Sequence, residues 1–246
     1  MNDIDSLWLD LLQNPHDDEA RLRYAHWLDE RDLPRGEFIR LQCQLEKLPL
    51  ANPLRLELET REHELLADHE REWLGDLEPL IDWAVFHRGF PSEISTSCAI
   101  FLEHGDLIVS RAPMPMIHLS GVRDRMSRLA DCAALRKVSF LDLSNNHLRD
   151  QGVKLLANSA HIGNLEGLNL SSVGLGDGGA RALAESTQLV GLRELYLCDN
   201  RITRAGFRAL ADTPLVRQLE TLSLRFNDCA DGRDMLSTDP ALSLHL

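Results

Sequence analysis

Residues 192–202 have the sequence LRELYLCDNRI, and closely similar strings recur along the chain. They are VSFLDLSNNHL at 138–148, LEGLNLSSVGL at 165–175 and LETLSLRFNDC at 219–229. The first residues of these four segments lie 27 positions apart each time. A weaker fifth copy precedes them, in which Met114, Ile117, Leu119 and Val122 occupy the same apolar positions. Repetition at a constant period predicts a solenoid.

Each copy combines a strand pattern with a helix pattern. Leucine at positions 4 and 6 predicts a short strand with every second side chain buried. Asparagine at position 9 is expected to form hydrogen bonds with backbone groups at the end of each strand. Val173 occupies this position in the second copy, so these bonds should be missing there. Helices are predicted to follow at Gly152–Ala157, Gly179–Ala184 and Gly206–Ala211. Asp150 and Asp177, two residues before the first two glycines, are expected to cap these helices.

The shared pattern L-x-x-L-x-L-x-x-N-x-L resembles the leucine-rich repeat. A strand plus a helix in every repeat is similar to its ribonuclease-inhibitor-like subtype. The resemblance implies an α/β solenoid, a short horseshoe with a parallel sheet on its concave side and helices on its convex side. The repeats are predicted at residues 114–137, 138–164, 165–191, 192–218 and 219–246.

The N-terminal third has a different pattern. Ile4, Leu7, Trp8, Leu11 and Leu12 follow helical spacing, and further helical stretches follow them. The strings YAHWLDER at 24–31 and RGEFIRLQ at 35–42 resemble a repeat-companion domain that precedes leucine-rich repeats in some bacterial proteins. We expect a small all-α domain over 1–48, an acidic helical linker over 49–75 and an irregular α/β cap over 76–113.

The charge of the chain indicates which partners it is expected to bind, and its cysteine content indicates where the protein is expected to be located. The net charge is −13, and residues 1–82 hold 21 Asp and Glu against 9 Lys and Arg. A chain without a basic block is not expected to bind nucleic acid or an anionic membrane. Five scattered cysteines argue against a disulfide framework, and the acidic N-terminus argues against a secretory signal. A cytoplasmic location is therefore expected.

Two strings resemble chemical motifs. Residues 174–179, GLGDGG, match G-x-G-x-x-G, and Glu194 falls about 20 residues later, as in dinucleotide-binding folds. The neighbouring copies lack most of these glycines, so a tight turn is favoured and nucleotide binding is a minor alternative. His63 and His69 lie six apart, which places them on different faces of a helix rather than on a common metal site. No catalytic residue, metal site or cofactor is predicted.

The concave face is the predicted site. Positions 2, 3, 5, 7 and 8 of each repeat should point outward, and exposed aromatic residues beside charged ones are typical of interface hot spots. The candidates are Phe140, Asp142, Asn169, Arg193, Glu194, Tyr196, Asp199, Arg225 and Phe226. An alternative for Phe140 and Phe226 is packing against the cap or the chain end.

These features predict a non-enzymatic scaffold that binds a protein partner on this face. The alternative function is an activator or regulator of a small GTPase acting in trans, since horseshoes of this subtype include such activators.

The C-terminal segment, residues 241–246, alternates apolar and polar residues as ALSLHL. This pattern predicts one more strand, whose open edge would allow weak self-association through the C-terminal repeat. A frayed tail on a monomer is the alternative.

Overall fold

A computed structural model describes residues 3–211, 213–228 and 243–245 of the chain. The chain divides into two compact units, of which the first comprises Met1–Ile94 and Ser110–Met114. The second unit comprises Ser95–Val109 and Pro115–Leu246. None of the helices among the described residues is long and apolar enough to cross a membrane.

The described part of the first unit contains four helices, one strand and the first residues of a second strand. The helices are α1 (Asp3–Gln13), α2 (Asp18–Asp29), α3 (Arg35–Lys47) and α4 (Arg55–Leu74), followed by a 3-10 segment over Gly75–Leu80. Strands β1 (Trp83–His87) and β2 (Phe90–Ser97) are neighbours in the sheet. Arg88 and Gly89 join them with positive φ, the backbone of a type I′ hairpin turn.

The core of this unit draws on both helices and strand. Leu11, Ala25 and Ile39 form one buried cluster with Phe90 of β2. An all-α domain is therefore not shown, because a strand residue completes the helical core.

The acidic helix α4 packs against α3. The rings of Phe38 and Trp73 lie 4.7 Å apart, and Gln42 Nε2 donates to Glu62 Oε1 over 2.6 Å. Most glutamates of α4 are exposed, with Glu62 and Glu70 half-buried. Within the described residues, no group of three or more His, Cys, Asp or Glu side chains could hold a metal ion.

The second unit contains the repeats. Its helices are α5 (Cys98–Val109), α6 (Met126–Ala130), α7 (Arg149–Ala157), α8 (Asp177–Ala184), α9 (Arg204–Ala211) and α10 (Pro214–Gln218). Its 3-10 segments are Arg123–Arg125 and Ala133–Lys137. Its strands are β3 (Met116–Ser120), β4 (Phe140–Asp142), β5 (Gly167–Asn169), β6 (Glu194–Tyr196), β7 (Thr221–Ser223) and β8 (Ser243–His245). The predicted helices of the repeats are confirmed in α7, α8 and α9.

The strands pair in parallel and in the predicted register. Ile117, Leu141, Leu168, Leu195 and Leu222 face one another across β3 to β7. All five are fully buried, and so are Leu170 and Leu197 at position 6. The strand of the weak copy beginning at Met114 therefore pairs in register with the strand of the next copy, and the predicted core leucines are confirmed.

The predicted C-terminal strand is also confirmed over residues 243–245. Strand β8 pairs in parallel with β7, with Leu244 opposite Leu222. Residues 241, 242 and 246 of the predicted strand lie outside the described residues. Self-association through this strand stays a prediction.

The position-9 asparagines bond the backbone where each strand ends, as predicted. Asn200 Nδ2 donates to Leu170 O, Leu197 O and Cys198 O, and its Oδ1 accepts from Val173 N and Leu175 N. Asn146 and Asn227 form similar bonds, in which the Oδ1 of each accepts from one backbone amide instead of two. Val173 occupies position 9 of its repeat and is buried there. Its side chain has no amide and cannot form these hydrogen bonds.

The two aspartates do not cap their own helices, and that prediction was wrong. The helices α7 and α8 begin without a side-chain cap. Asp150 Oδ1 instead accepts from Gly176 N in the following repeat. Asp177 Oδ1 accepts from Thr203 N and from Gly206 N, within the first turn of α9. Each aspartate therefore joins its repeat to the next one.

Candidate functional site

The candidate face is the sheet surface formed by positions 2, 3, 5, 7 and 8 of the repeats, hereafter the exposed sheet face. Its centre is the position-5 row, in which each residue lies opposite the next across a strand pair. The row consists of His118, Asp142, Asn169, Tyr196 and Ser223. The described repeats therefore present a line of polar groups on one surface while their leucines fill the other.

Asp142 is the most highly bonded member of the row. Its carboxylate lies 3.2 Å from His118 Nδ1 and accepts from Asn169 Nδ2 at 3.0 Å and from Ser144 N at 2.7 Å. Burial acts to raise the pKa of Asp142, but the hydrogen bonds from His118, Ser144 and Asn169 outweigh it and lower the pKa. The carboxylate is therefore held charged in a fixed position.

Replacing Asp142 with asparagine is expected to destabilise the protein at neutral pH by ~1–2 kcal/mol, since the charged acceptor is lost. A lowered pKa stabilises the folded state above the unfolded pKa of about 4, and this contribution is lost as pH falls through the folded value. The deficit of Asp142→Asn should therefore shrink in acid. Urea denaturation at several pH values measures this, with exposed Asp199→Asn as the control. A deficit independent of pH would contradict the assignment.

An aromatic pair lies on the same face, formed by Tyr196 of the position-5 row and Phe140 of position 3. The ring of Phe140 lies over Gly167, where an added Cβ would come within 2.0 Å of Phe140 Cδ2. This absence of a side chain lets Phe140 reach Tyr196 two strands away, with ring centroids 6.1 Å apart. Tyr196 donates its hydroxyl to Glu194 Oε2 at 2.8 Å. Burial, together with the Glu194 carboxylate, raises the pKa of Tyr196 to about 12.

The other candidates lie further along the same face. Arg193 pairs with Glu220 over 2.7 Å, and Asp199 accepts from Ser172 Oγ over 2.8 Å. Arg225 is exposed, and Phe226 exposes 82% of its surface. Phe226 is therefore not buried against the described residues, and the chain end lies mostly outside them, whereas Phe140 is half-buried within the face itself.

Position 8 has a left-handed backbone in every described copy. Asn145, Ser172, Asp199 and Phe226 have φ between 51° and 60°, and Gly121 of the weak copy has φ 66°. Asparagine, aspartate and glycine tolerate this conformation, whereas a bulky aromatic residue is strained in it. Phe226 therefore combines backbone strain with near-complete exposure.

Sequence reasoning missed two residues of this face. His118 was assigned no role, although its place in the weak copy aligns it with Asp142, Asn169 and Tyr196 at position 5. Gly167 occupies an outward position but was not among the candidates, because its importance depends on a contact with the preceding strand. Alignment of the fifth copy could have found His118, but no sequence signal pointed to the Phe140–Gly167 contact.

A basic cleft lies at the strand-to-helix turns of the repeats. It has a volume of about 690 Å³ and is lined by Arg123, His147, Arg149, Asp150, Gln151, Val173, Gly174, Gly176 and Arg201. The glycine motif is part of this lining. Gly176 N already donates to Asp150, and a Cβ on Gly178 would lie 2.5 Å from Asp150 Oδ2. Gly178 and Gly179 make room for the aspartate, and the amide of Gly176 is not available to a phosphate group.

The first unit has a smaller cavity of its own, with a volume of about 360 Å³. It is lined in part by Trp8, Tyr24, Trp73 and Phe90, with Arg35 beside them. Arg35 donates from Nε and Nη2 to Gly89 O, and burial lowers the pKa of its guanidinium. This arginine therefore ties the hairpin turn to α3.

The comparisons agree with the repeat architecture. Residues 134–157 match the family model described as a leucine-rich repeat. A search of curated proteins found no match to the chain. The match supports a leucine-rich repeat protein with an α/β fold, and this motif suggests a role in protein–protein interaction. Such repeats are typically non-enzymatic interaction modules.

Proposed function

We propose that the exposed sheet face binds a protein partner, and that Phe226 and the Phe140–Tyr196 pair are its apolar anchors. The observation that carries this proposal is Phe226, an aromatic side chain 82% exposed on a left-handed backbone. The backbone conformation of such a residue destabilises the folded chain, and its exposed ring contributes almost no buried apolar surface. Strained positions of this kind are concentrated at binding sites. Aromatic residues beside arginine are also the usual centre of protein interfaces.

The surroundings of these anchors support the same function. Tyr196 and Phe140 are held in place by Glu194 and Gly167, so little side-chain freedom remains to be lost on binding. Asp142 and Asn169 are held by the hydrogen bonds of the position-5 row, and Arg193, Asp199 and Arg225 form a charged rim. A rigid apolar centre with a polar rim is the composition of a protein-binding surface.

The proposal also includes the subtype of the repeats, the nature of the N-terminal domain and the location of the protein. The constant period of the repeats and the helix in each of them support the ribonuclease-inhibitor-like subtype. The strings at 24–31 and 35–42 support a bacterial repeat-companion domain at the N-terminus. The net charge of −13 supports a protein partner rather than nucleic acid or an anionic membrane, and the five scattered cysteines support a cytoplasmic location.

Replacement of Phe226 by asparagine is expected to change stability and binding in opposite directions. Asparagine tolerates a left-handed backbone, so the free energy of unfolding should rise by about 1 kcal/mol. Loss of an interface anchor should weaken partner binding by ~2 kcal/mol or more. The partner is captured from a native lysate and identified, and its affinity for purified wild-type and variant chains is then measured by calorimetry.

The matched control is Val190→Ser, which removes an apolar side chain that is 71% exposed and is not at an outward position of the sheet. This control should bind the partner as the wild type does. Equal binding by Phe226→Asn and the wild type would contradict the proposed face, and so would an equal loss in Val190→Ser.

A further inference from the structure

We propose that the basic cleft binds a ligand with two or more linked phosphate groups, either free polyphosphate or the phosphate chain of a nucleotide. The cleft is formed by the second unit alone and is separate from the anchors of the exposed sheet face. The inference does not depend on the proposed protein partner.

The first argument is charge. Three guanidinium groups, those of Arg123, Arg149 and Arg201, line the cleft, and all three residues are exposed. In the part of the chain that the structure describes, none of the three side chains forms an ion pair or a hydrogen bond. The cleft therefore brings three guanidinium groups together in a chain whose net charge is −13.

The second argument concerns the single acidic group of the lining. Among the described residues, Asp150 is the one carboxylate that lines the cleft, and its Oδ1 accepts from Gly176 N at 2.6 Å. Even if its charge fully offsets one arginine, two positive charges remain unbalanced. A ligand with at least two negative charges matches this excess, and arginine binds phosphate through paired hydrogen bonds.

The third argument is shape. Position 10 of the repeats carries Arg123, His147, Gly174, Arg201 and Asp228 in succession, and Asp228 does not line the cleft. Gly174 interrupts this row of side chains, and the nearest atom to an added Cβ is Arg149 Cγ at 3.9 Å. The gap therefore lies between His147 and Arg201, with Arg149 beside it. His147 and Arg201 are two repeats apart, roughly 10 Å at the usual strand spacing, so an extended anion suits the cleft better than a single small one.

The chemistry of recognition differs from that of a glycine-rich phosphate loop. There the backbone amides bind phosphate, whereas here Gly176 N is occupied by Asp150. Recognition would come from side chains, and it should therefore weaken as salt concentration rises.

The test is calorimetric titration of the full chain with sodium tripolyphosphate, ADP and sulfate, at low and at physiological salt. We expect tripolyphosphate to bind with one-to-one stoichiometry and more tightly than sulfate. Arg149→Gln and Arg201→Gln should each weaken this binding about ten-fold or more, because each removes a charge-assisted contact. Equal binding of ADP would assign the site to nucleotides, and much weaker binding of ADP would assign it to free polyphosphate.

The matched control is Arg208→Gln, which removes an exposed arginine of α9 outside the cleft. Melting temperatures should be unchanged in all three variants, because none of these arginines is buried. Absence of saturable tripolyphosphate binding would overturn the proposal. So would binding of sulfate with the same affinity, or an equal loss of affinity in Arg208→Gln.

Discussion

Replacing Leu195 with alanine should lower the free energy of unfolding of the repeat unit by ~2–5 kcal/mol. Leu195 is fully buried in β6, where it lies between Leu168 of β5 and Leu222 of β7. Truncation removes apolar contacts and leaves a cavity that the neighbouring leucines can fill only in part. The effect is measured by urea denaturation and by amide hydrogen exchange.

Hydrogen exchange also shows which strands of the sheet are destabilised by the substitution. Each repeat contacts its neighbours, so protection should fall first in β5, β6 and β7. The control is Val190→Ala at an exposed position, which should change stability by less than about 0.5 kcal/mol. An unchanged denaturation midpoint in Leu195→Ala would contradict the assigned register.

Replacing Asn200 with alanine should cost about 3–5 kcal/mol, because it removes five hydrogen bonds at a buried position. The amides of Val173 and Leu175 lose their acceptor, and the carbonyl of Leu170 loses a donor. Buried backbone groups without partners are costly, and the truncation also leaves space. Thermal and urea unfolding of the two proteins measure the difference.

Two comparison variants separate these contributions. Asn200→Val fills the space but restores no hydrogen bond, so it should be less harmful than Asn200→Ala. Asn158 is exposed and, within the described ranges, donates only to Lys154 O over 2.7 Å, so Asn158→Ala should be close to neutral. Equal stability of Asn200→Ala and Asn158→Ala would show that the asparagine bonds contribute nothing.

The repeat period was enough to predict the register of the sheet. Leucines separated by one full period fall opposite one another when every repeat has the same length, as Leu141, Leu168, Leu195 and Leu222 do. The last pairing does not keep this spacing, since Leu244 follows its partner Leu222 by less than one period. Alternation of apolar residues predicted the strand β8, but no repeat pattern could predict its partner residues.

Contacts between repeats were harder to predict than contacts within one. Asp150 and Asp177 stand where a helix cap is expected, and their own sequence neighbours favour that role. Their actual acceptor bonds reach Gly176, Thr203 and Gly206 in the following repeat. A pattern confined to one repeat contains no information about this neighbour.

The same limit applies to the candidate site. Outward positions follow from strand alternation, but the left-handed backbone of Phe226 and the ring contact of Phe140 depend on the three-dimensional path of the chain. In the first unit, Phe90 completes a core with Leu11 and Ile39. The hairpin turn at Arg88 and Gly89 was not recognised among residues expected to be irregular.

The ladder of strands β3 to β8 also bears on how the second unit folds. Each strand pairs with the next one along the chain, and the paired residues are never more than one repeat period apart. The entropy lost in closing each loop is therefore similar at every step and small for a sheet of this size. A parallel sheet usually folds slowly because its pairings are distant in sequence. Here assembly can start at any junction and extend in both directions, one loop closure at a time.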